Sequence, residues 1–372
     1  MVHPTAKWSA DFERRCTAVH PHLNEDFSPL ASFPKSRSAF SSAKQVAELA
    51  GVSRSAVSRT FTPGASVSEE TRQRVLSAAE QLGYHVNHLA RGLTQQSTGI
   101  VCLIVADSDT PYQARMLRAL IQSLREAGKV AMVLDTSGPS EHVAQALRQT
   151  LNYRADATVV LSGTPPEALV RICLENGQKL ILINRNDPLL GPYNIGIDSD
   201  AAADLALHAL MRAGCRRPAL VTSAAGTPSL LDRERAFIGG AAKLGLEVVV
   251  WRGGRTNYRA GADGARSLLA GARRPDAAFC VTDLIACGFL DAARLEFGLE
   301  VPRDLCVIGF DNIEEASWAS YRMTTFAPPI PAIADYVTKL IGMDDTGGET
   351  ERRRVFEPAL VWRNTVRPDS RQ

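Results

Sequence analysis

Residues 41–61 read SSAKQVAELAGVSRSAVSRTF, a stretch that predicts two short helices joined by a tight turn. Ser42 and Gln45 have the spacing of a capping box, which favours a helix start at this point. Gly51 supplies the backbone freedom that a sharp turn needs, and Ser53 is a good N-cap for the second helix. Apolar residues recur at helical spacing in both segments. The stretch therefore predicts a helix–turn–helix unit with one buried face.

The second of these helices carries a short polar face. Val57 and Phe61 lie four residues apart and are expected to face inward. The candidate DNA-binding residues left on the outside, including the N-cap, are Ser53, Arg54, Ser55, Ser58 and Arg59. Such a face suits the DNA major groove, where Arg pairs with guanine edges and Ser with bases or phosphates. The alternative for this stretch alone is a surface helical hairpin with solvated charges.

The segment that follows argues against a mere surface helical hairpin. Residues 67–82 predict a third helix with Ser68 as N-cap and an apolar stripe that closes a three-helix core. The run from Ser41 to Thr98 includes AGVSRSAVSRTF, VSEETRQRV, LGYHVN and LARGL. As a set, these motifs resemble the DNA-binding headpiece of the LacI/GalR family of transcriptional regulators.

The resemblance implies how the headpiece would bind DNA. In that family the second helix reads the major groove, and a short hinge helix enters the minor groove and inserts a leucine as an apolar wedge. The matching positions are Arg54, Ser55 and Arg59 on the reading helix and Asn87, Arg91 and Leu93 on the hinge. The expected boundaries are a helix–turn–helix domain at 40–86 and a hinge with linker at 87–98.

Beyond residue 98, near-continuous apolar runs alternate with amphipathic stretches, a pattern typical of parallel strands covered by helices on both faces. Eight predicted strands between residues 99 and 310 fit two sheets better than one. No phosphate-binding glycine motif follows any of the strands, so no nucleotide cofactor is expected. The strands are predicted at 99–106, 130–134, 157–161, 179–183, 218–222, 246–251, 277–281 and 305–310.

This core also resembles the same family, through RERAFIGG, VTDLIACGFLDAAR, VPRDLCVIGFDN and MTTFAPP. The resemblance implies a two-lobed, periplasmic-binding-protein-like α/β fold for residues 99–368. Lobe one would hold about 99–197 and 328–356, and lobe two about 198–326 and 357–368. The effector contacts that the family would place between the lobes fall on Tyr112, Asn184, Arg235, Thr282 and Asp311.

The chemistry of these residues is suitable, because Arg and Asp at strand ends can bind vicinal hydroxyls or a carboxylate by paired hydrogen bonds. The alternatives are ordinary structural roles. Asp311 would then cap a turn with Asn312, and Arg235 would be a solvated charge on a helix.

Composition excludes several classes of protein. Lys and Arg number 42 against 40 Asp and Glu, so there is no polybasic tail. Seven scattered cysteines predict reduced thiols in a cytoplasmic protein, without metal-ligand spacing. No signal peptide or membrane span is expected, and none of the seven histidines accompanies a nucleophile motif. Residues 1–39, rich in proline, are expected to be a disordered or mis-annotated extension, and a metal site at Cys16, His20 and His22 is weakly supported.

These observations predict a cytoplasmic, non-enzymatic transcriptional repressor without cofactor or metal. It would bind a pseudo-palindromic DNA operator as a homodimer, since no leucine heptad for tetramers follows the last predicted strand. A small metabolite, such as a sugar or sugar acid, would bind between the lobes and control it. The alternatives are a solute-binding module without a regulatory role, or a regulator that is activated by its effector and uses a corepressor.

Overall fold

The fold was taken from a computed structural model, which divides into two compact units between residues 87 and 88. We refer to them as the headpiece and the core. The predicted extension at 1–39 and the hinge residues Asn87, Arg91 and Leu93 lie outside the described residues. The structure describes residues 41–62, 64–86, 97–136, 141–162, 165–185, 191–343 and 352–368.

The headpiece contains helices α1 (Ala43–Ala50), α2 (Arg54–Thr60) and α3 (Glu69–Gln81). The capping box is formed: the Ser42 backbone N–H donates to Gln45 Oε1 at 2.7 Å, and the Gln45 N–H donates to Ser42 Oγ at 3.3 Å. Helix α1 ends at Gly51, whose φ of +63° is a left-handed conformation that favours glycine.

The three helices enclose a small apolar core made largely of Val and Ala side chains. Phe61 and Tyr84 close one side of it, with ring centroids 5.7 Å apart. Small side chains let the helices approach closely, which compensates for the limited area that so short a chain can bury. The buried members are Val46, Ala47, Ala50, Val57, Val75, Ala78 and Ala79.

The core contains two six-stranded sheets. In chain order, its first part comprises β1 (Ile100–Val105), α4 (Pro111–Glu126), β2 (Val130–Asp135), α5 (Glu141–Asn152), β3 (Ala157–Val160), α6 (Glu167–Glu175), β4 (Lys179–Ile183) and β5 (Tyr193–Ile197). Its second part comprises α7 (Ser199–Arg212), β6 (Pro218–Thr222), α8 (Pro228–Lys243), β7 (Val249–Arg252), α9 (Tyr258–Leu269), β8 (Ala277–Cys280), α10 (Asp283–Leu295) and β9 (Cys306–Phe310). Its last part comprises a 3₁₀ turn (Glu314–Ser317), β10 (Thr324–Ala327), α11 (Ile330–Gly342), β11 (Arg353–Phe356) and β12 (Ala359–Val361).

Sheet one has the strand order β11-β5-β4-β3-β1-β2 and is parallel throughout. Sheet two has the order β12-β10-β9-β8-β6-β7, with only β12 antiparallel to its neighbour. The chain passes from one sheet to the other after β5, after β10 and after β11. Two α/β lobes with parallel sheets are what the apolar runs predicted.

Four strands and one helix of the core were not predicted, namely β5, β10, β11, β12 and α11. The reason is visible in β10, where Thr324 and Thr325 are fully buried and so interrupt any apolar pattern. The Thr325 hydroxyl donates to Asp283 Oδ1 at 2.6 Å, and the Thr324 N–H donates to Thr365 Oγ1 at 2.9 Å. Their partners lie about forty residues away in sequence, beyond the reach of a local pattern.

Candidate functional sites: a DNA-reading helix and an interlobe cluster

Helix α2 presents the predicted polar face to solvent. Ala56 and Val57 are buried against the headpiece core, whereas Arg54, Ser58 and Arg59 are exposed. Ser53 and Ser55 are also exposed, and their hydroxyls lie 2.8 Å apart. Among the described residues no ion pair occupies Arg54 or Arg59. The sequence therefore identified correctly which side of this helix is available, while contact with DNA itself is outside what the structure tests.

Two arginines of α3 hold the carbonyl ends of α1 and α2. Arg72 Nη1 donates to the Thr60 carbonyl at 3.1 Å, at the end of α2. Arg74 Nε donates to the Ala50 carbonyl at 3.1 Å and its Nη2 to the Gly51 carbonyl at 3.0 Å, at the end of α1. Cations are favourable at helix C-termini, where carbonyls lack partners. These arginines therefore link α3 to the carboxyl ends of α1 and α2.

In the core, a buried ion pair joins α8 to the end of β9. Arg233 Nη1 lies 3.6 Å from Asp311 Oδ1, and both side chains are almost fully buried. The same guanidinium stacks 3.6 Å above the centroid of the Phe310 ring and donates to the Val281 carbonyl at 2.6 Å. Burial raises the pKa of Asp311 to about 8, although the Arg233 charge opposes this. The Asp311 backbone is strained, with a φ of +116°.

Residues of lobe one face this ion pair. Tyr112, at the start of α4, donates its hydroxyl to Asn184 Oδ1 at 3.1 Å, and Asn184 directly follows β4. Burial, and next the negative charge of Asp311, raise the pKa of Tyr112 to about 12. Arg115, one turn further along α4, donates to the Asn312 carbonyl of lobe two. The carboxyl edges of the two sheets therefore meet at this point.

Thr282 and Asp283 complete the site from the carboxyl end of β8. Thr282 is the N-cap of α10 and accepts from the Ile285 N–H at 3.4 Å. Asp283 is fully buried, accepts from the Ile313 N–H at 2.9 Å, and has its pKa raised to about 6 by burial. We call Tyr112, Arg115, Asn184, Arg233, Thr282, Asp283 and Asp311 the interlobe cluster.

The prediction for Arg235 needs correction. Arg235 is largely exposed and pairs with Asp200 at 3.1 Å and with Asp232 at 2.7 Å, on the surface of lobe two. The residue that reaches Asp311 is Arg233, two positions earlier on the same helix. Two residues correspond to about 200° of rotation around a helix, so the two arginines occupy different faces. Arg235 accordingly has the alternative role, a solvated helix charge.

The sequence analysis also missed Arg115 and Asp283. Arg115 lies on the exposed side of an amphipathic helix, and only its reach into the other lobe makes it part of the site. Asp283 stands next to Thr282 in the motif VTDLIACG, so its position was a usable signal. Gly309 makes room for it, because a Cβ at that position would lie 2.1 Å from Asp283 Oδ1.

Two kinds of feature, a metal-binding cluster and a membrane-spanning helix, were sought among the described residues. Within the described ranges, no three His, Cys, Asp or Glu side chains are grouped so that they could hold a metal ion. Within the same ranges, no helix combines the length and apolar character needed to cross a membrane.

An exposed helix–turn–helix and a two-lobed core with a polar cluster between its sheets together define a ligand-binding, DNA-binding class of protein.

Comparison with known proteins assigns the family. Residues 42–87 match the model of bacterial regulatory proteins of the lacI family, and residues 207–366 match a periplasmic binding protein-like domain. The HTH-type transcriptional regulator GalR of Escherichia coli K12 is 30% identical over 328 residues, 87% of this chain and 95% of that protein. The chain belongs to the LacI/GalR family, and is therefore a DNA-binding transcriptional regulator and not an enzyme.

Solved structures agree on the fold. The Lac repressor dimer bound to operator and the anti-inducer ONPF superposes with a TM-score of 0.79 at 19% identity, covering 88% of this chain and 99% of that one. The complex of the transcriptional regulator CelR with cellobiose has a TM-score of 0.63 at 25% identity, covering 87% of this chain and 99% of that one.

Proposed function

We propose that the protein is a repressor that binds a pseudo-palindromic operator as a homodimer and responds to a sugar or sugar acid held by the interlobe cluster. The observation that carries the effector assignment is the buried Arg233–Asp311 pair opposite Tyr112 and Asn184. A carboxylate and a guanidinium side by side offer acceptors and donors at the spacing of adjacent hydroxyls. Burial makes each of these hydrogen bonds strong and selective.

For DNA, the proposal assigns base reading to Arg54, Ser55 and Arg59, with Ser53 and Ser58 beside them toward the phosphates. Two half-sites one helical turn apart would each receive one such helix from a dimer. The hinge residues Asn87, Arg91 and Leu93 would enter the minor groove, with Leu93 as the wedge. In support, the Lac repressor, which shares the fold, is described as a dimer bound to operator.

Coupling between the two sites would run through the lobes. Arg115 links α4 of lobe one to the Asp311–Asn312 turn of lobe two, so a ligand that contacts Asp311 competes with or reinforces this link. An effector that binds one lobe arrangement more tightly shifts the population toward it. The paired lobes then hold the two hinges together or apart, which decides whether both wedges can insert.

The operator must be identified first. Random-sequence DNA is selected for binding to the full-length chain. The enriched sequences are then titrated in a mobility-shift assay. The proposal predicts an inverted repeat that binds two chains. Enrichment of a single unrepeated half-site, bound by one chain, would contradict the homodimer assignment.

The effector class is tested by a thermal-shift screen of monosaccharides, disaccharides and sugar acids. A ligand present at a hundred times its Kd stabilises the folded state by about 2.7 kcal/mol, which is readily visible. The matched variants are Asp311→Asn, which should abolish the shift, and Arg235→Gln, which should keep it. A sugar that stabilises both variants equally would bind outside the interlobe cluster.

A further inference from the structure

The side chain of Asp156 lies at the amino edge of sheet one and binds the residues that lead into β1. Ser97 Oγ donates to Asp156 Oδ2 at 2.8 Å, and the Gly99 N–H donates to the same oxygen at 3.0 Å. The Thr98 N–H donates to Asp156 Oδ1 at 2.7 Å, and the Thr98 hydroxyl lies 3.0 Å from that oxygen. Three successive residues are therefore hydrogen-bonded to one carboxylate.

The strands on both sides of β1 contribute to the same arrangement. Asp156 directly precedes β3, and its backbone N–H donates to the Ile100 carbonyl at 2.9 Å. Lys129 directly precedes β2, and its Nζ lies 3.3 Å from Asp156 Oδ2. The Val130 N–H donates to the Gly99 carbonyl at 2.9 Å. The segment that precedes β1 is thus tied to both neighbours of that strand and should move with lobe one.

The surroundings of Asp156 keep its carboxylate ionised. The side chains of Asp156 and Lys129 are 17% and 26% exposed, so solvent screens their attraction only in part. Burial alone would raise the pKa of Asp156, but the hydrogen bonds from Ser97 and Thr98 prevail and lower it. Hydrogen bonds to an ionised acceptor are stronger than those between neutral groups. One carboxylate can therefore hold the whole segment in place.

We infer that Asp156 is a positioning residue for operator binding, because it fixes to lobe one the segment that joins the core to the hinge. The inference rests on the proposed function, in which two hinges enter the minor groove together. Ser97 and Thr98 are the last residues of the predicted hinge and linker at 87–98. If this attachment is loose, the residues have to be ordered when DNA binds, and that cost weakens specific binding.

The change of charge alone predicts the opposite result. Replacing Asp156 by alanine makes the chain more positive, and a more positive protein binds the DNA polyanion more tightly. The positioning role instead predicts weaker binding to the operator, where the hinge is needed. It predicts no weaker binding to unrelated duplex DNA, because such binding depends on phosphate contacts.

Asp156→Ala and Glu175→Ala are the matched variants, because each removes one negative charge from lobe one. Glu175 is exposed at the end of α6. The full-length chains are titrated in mobility-shift assays with the selected operator and with an unrelated duplex. We expect the operator Kd to rise about tenfold or more in Asp156→Ala, the scale of ordering a few residues on binding. The operator Kd should not rise in Glu175→Ala, and the Kd for the unrelated duplex should rise in neither variant.

Hydrogen exchange followed by mass spectrometry tests the attachment without DNA. The amides of Thr98 and Gly99 should be protected in the wild-type chain and should exchange faster in Asp156→Ala, whereas the amides of β1 should stay protected. The milder double variant Ser97→Ala/Thr98→Val removes two side-chain donors and keeps the backbone hydrogen bonds. It should lose less operator affinity than Asp156→Ala, and it replaces that variant in both measurements if Asp156→Ala does not fold.

The outcomes separate this inference from the proposed function. A wild-type chain that prefers no DNA sequence would refute the proposed function and the inference with it. A wild-type chain that binds its operator, beside a folded Asp156→Ala chain that binds it equally well, would overturn the inference alone. Unchanged exchange at Thr98 and Gly99 in Asp156→Ala, or an equal loss of operator affinity in Glu175→Ala, would also overturn it.

Discussion

The headpiece and the core place their key arginines in opposite environments. Arg59 extends from α2 into solvent, whereas Arg233 is enclosed between Asp311, the Phe310 ring and the Val281 carbonyl. The exposed arginine is available for a large polyanion such as DNA, because a surface charge costs little to present. The buried arginine has been desolvated and oriented in advance, which suits recognition of a small polar molecule.

The two regions also differ in how far apart in sequence their partners lie. The headpiece is held by caps and contacts within about forty residues, such as Arg74 with Gly51. The interlobe cluster joins Tyr112 to Asn184 and Arg115 to Asn312, across 72 and 197 positions. Substitutions in the first region should therefore alter DNA binding locally, and those in the second should alter stability and ligand response together.

The largest effect is expected from a pair of matched substitutions on α8. Arg233→Met removes a buried guanidinium that contacts Asp311, the Phe310 ring and the Val281 carbonyl together, and should lower the free energy of unfolding by about 3–5 kcal/mol. Arg235→Met removes two surface ion pairs, with Asp200 and Asp232, and should cost less than about 1 kcal/mol for each. Urea denaturation of both variants measures the difference. Equal losses of unfolding free energy in the two variants would show that Arg233 is not buried more deeply than Arg235.

Next in size is the loss of a base contact. Arg59→Ala should weaken binding to the selected operator by about 1–3 kcal/mol, since a bidentate contact to guanine is lost. Lys44→Ala, an exposed basic residue on α1, is the control and should have a much smaller effect. Mobility-shift titration gives both values, and core unfolding should be unchanged in each variant. Wild-type affinity for Arg59→Ala would remove it from the reading set.

The pH dependence of stability should be smaller but has a defined sign. Burial raises the folded-state pKa of Asp311 to about 8 and of Asp283 to about 6, above the value near 4 of an unfolded aspartate. The folded state then binds more protons than the unfolded state between these values. The contribution of these two groups to stability should therefore be greatest near pH 4 and fall as the pH rises to 8, by up to about 1.4 kcal/mol per pH unit for each group.

Thermal unfolding of the ligand-free chain between pH 5 and 8 checks this expectation. Asp311→Asn should remove the part of the slope that lies between pH 6 and 8 and leave the part attributed to Asp283. A slope that is unchanged in Asp311→Asn would mean that this carboxyl is ionised throughout the range.

The sequence predicted the headpiece almost completely, because its signals are local. The capping box at Ser42, the turn at Gly51 and the outward face of α2 each depend on neighbours a few residues away. The two-sheet core followed from apolar runs in the same way. Local patterns could not show which of two arginines, two positions apart, is buried, since Arg233 and Arg235 both belong to the motif RERAFIGG.

Long-range partners explain the other differences. Strand β10 was missed because its buried threonines are satisfied by Asp283 and Thr365, far along the chain. Arg115 was missed because its carbonyl partners belong to the other lobe. In both cases the residue looks unremarkable in sequence and acquires its role from the tertiary structure.

The separation of DNA reading from ligand sensing is tested most directly by Asp311→Asn in an operator mobility-shift titration, with and without the sugar found in the screen. The variant keeps the shape of the side chain and leaves the headpiece unchanged. We predict wild-type operator affinity without sugar and no response to sugar at concentrations that fully shift the wild-type complex. A normal sugar response in the variant, or a loss of operator affinity without sugar in a folded protein, would contradict the assignment of DNA binding to the headpiece and of ligand binding to the core.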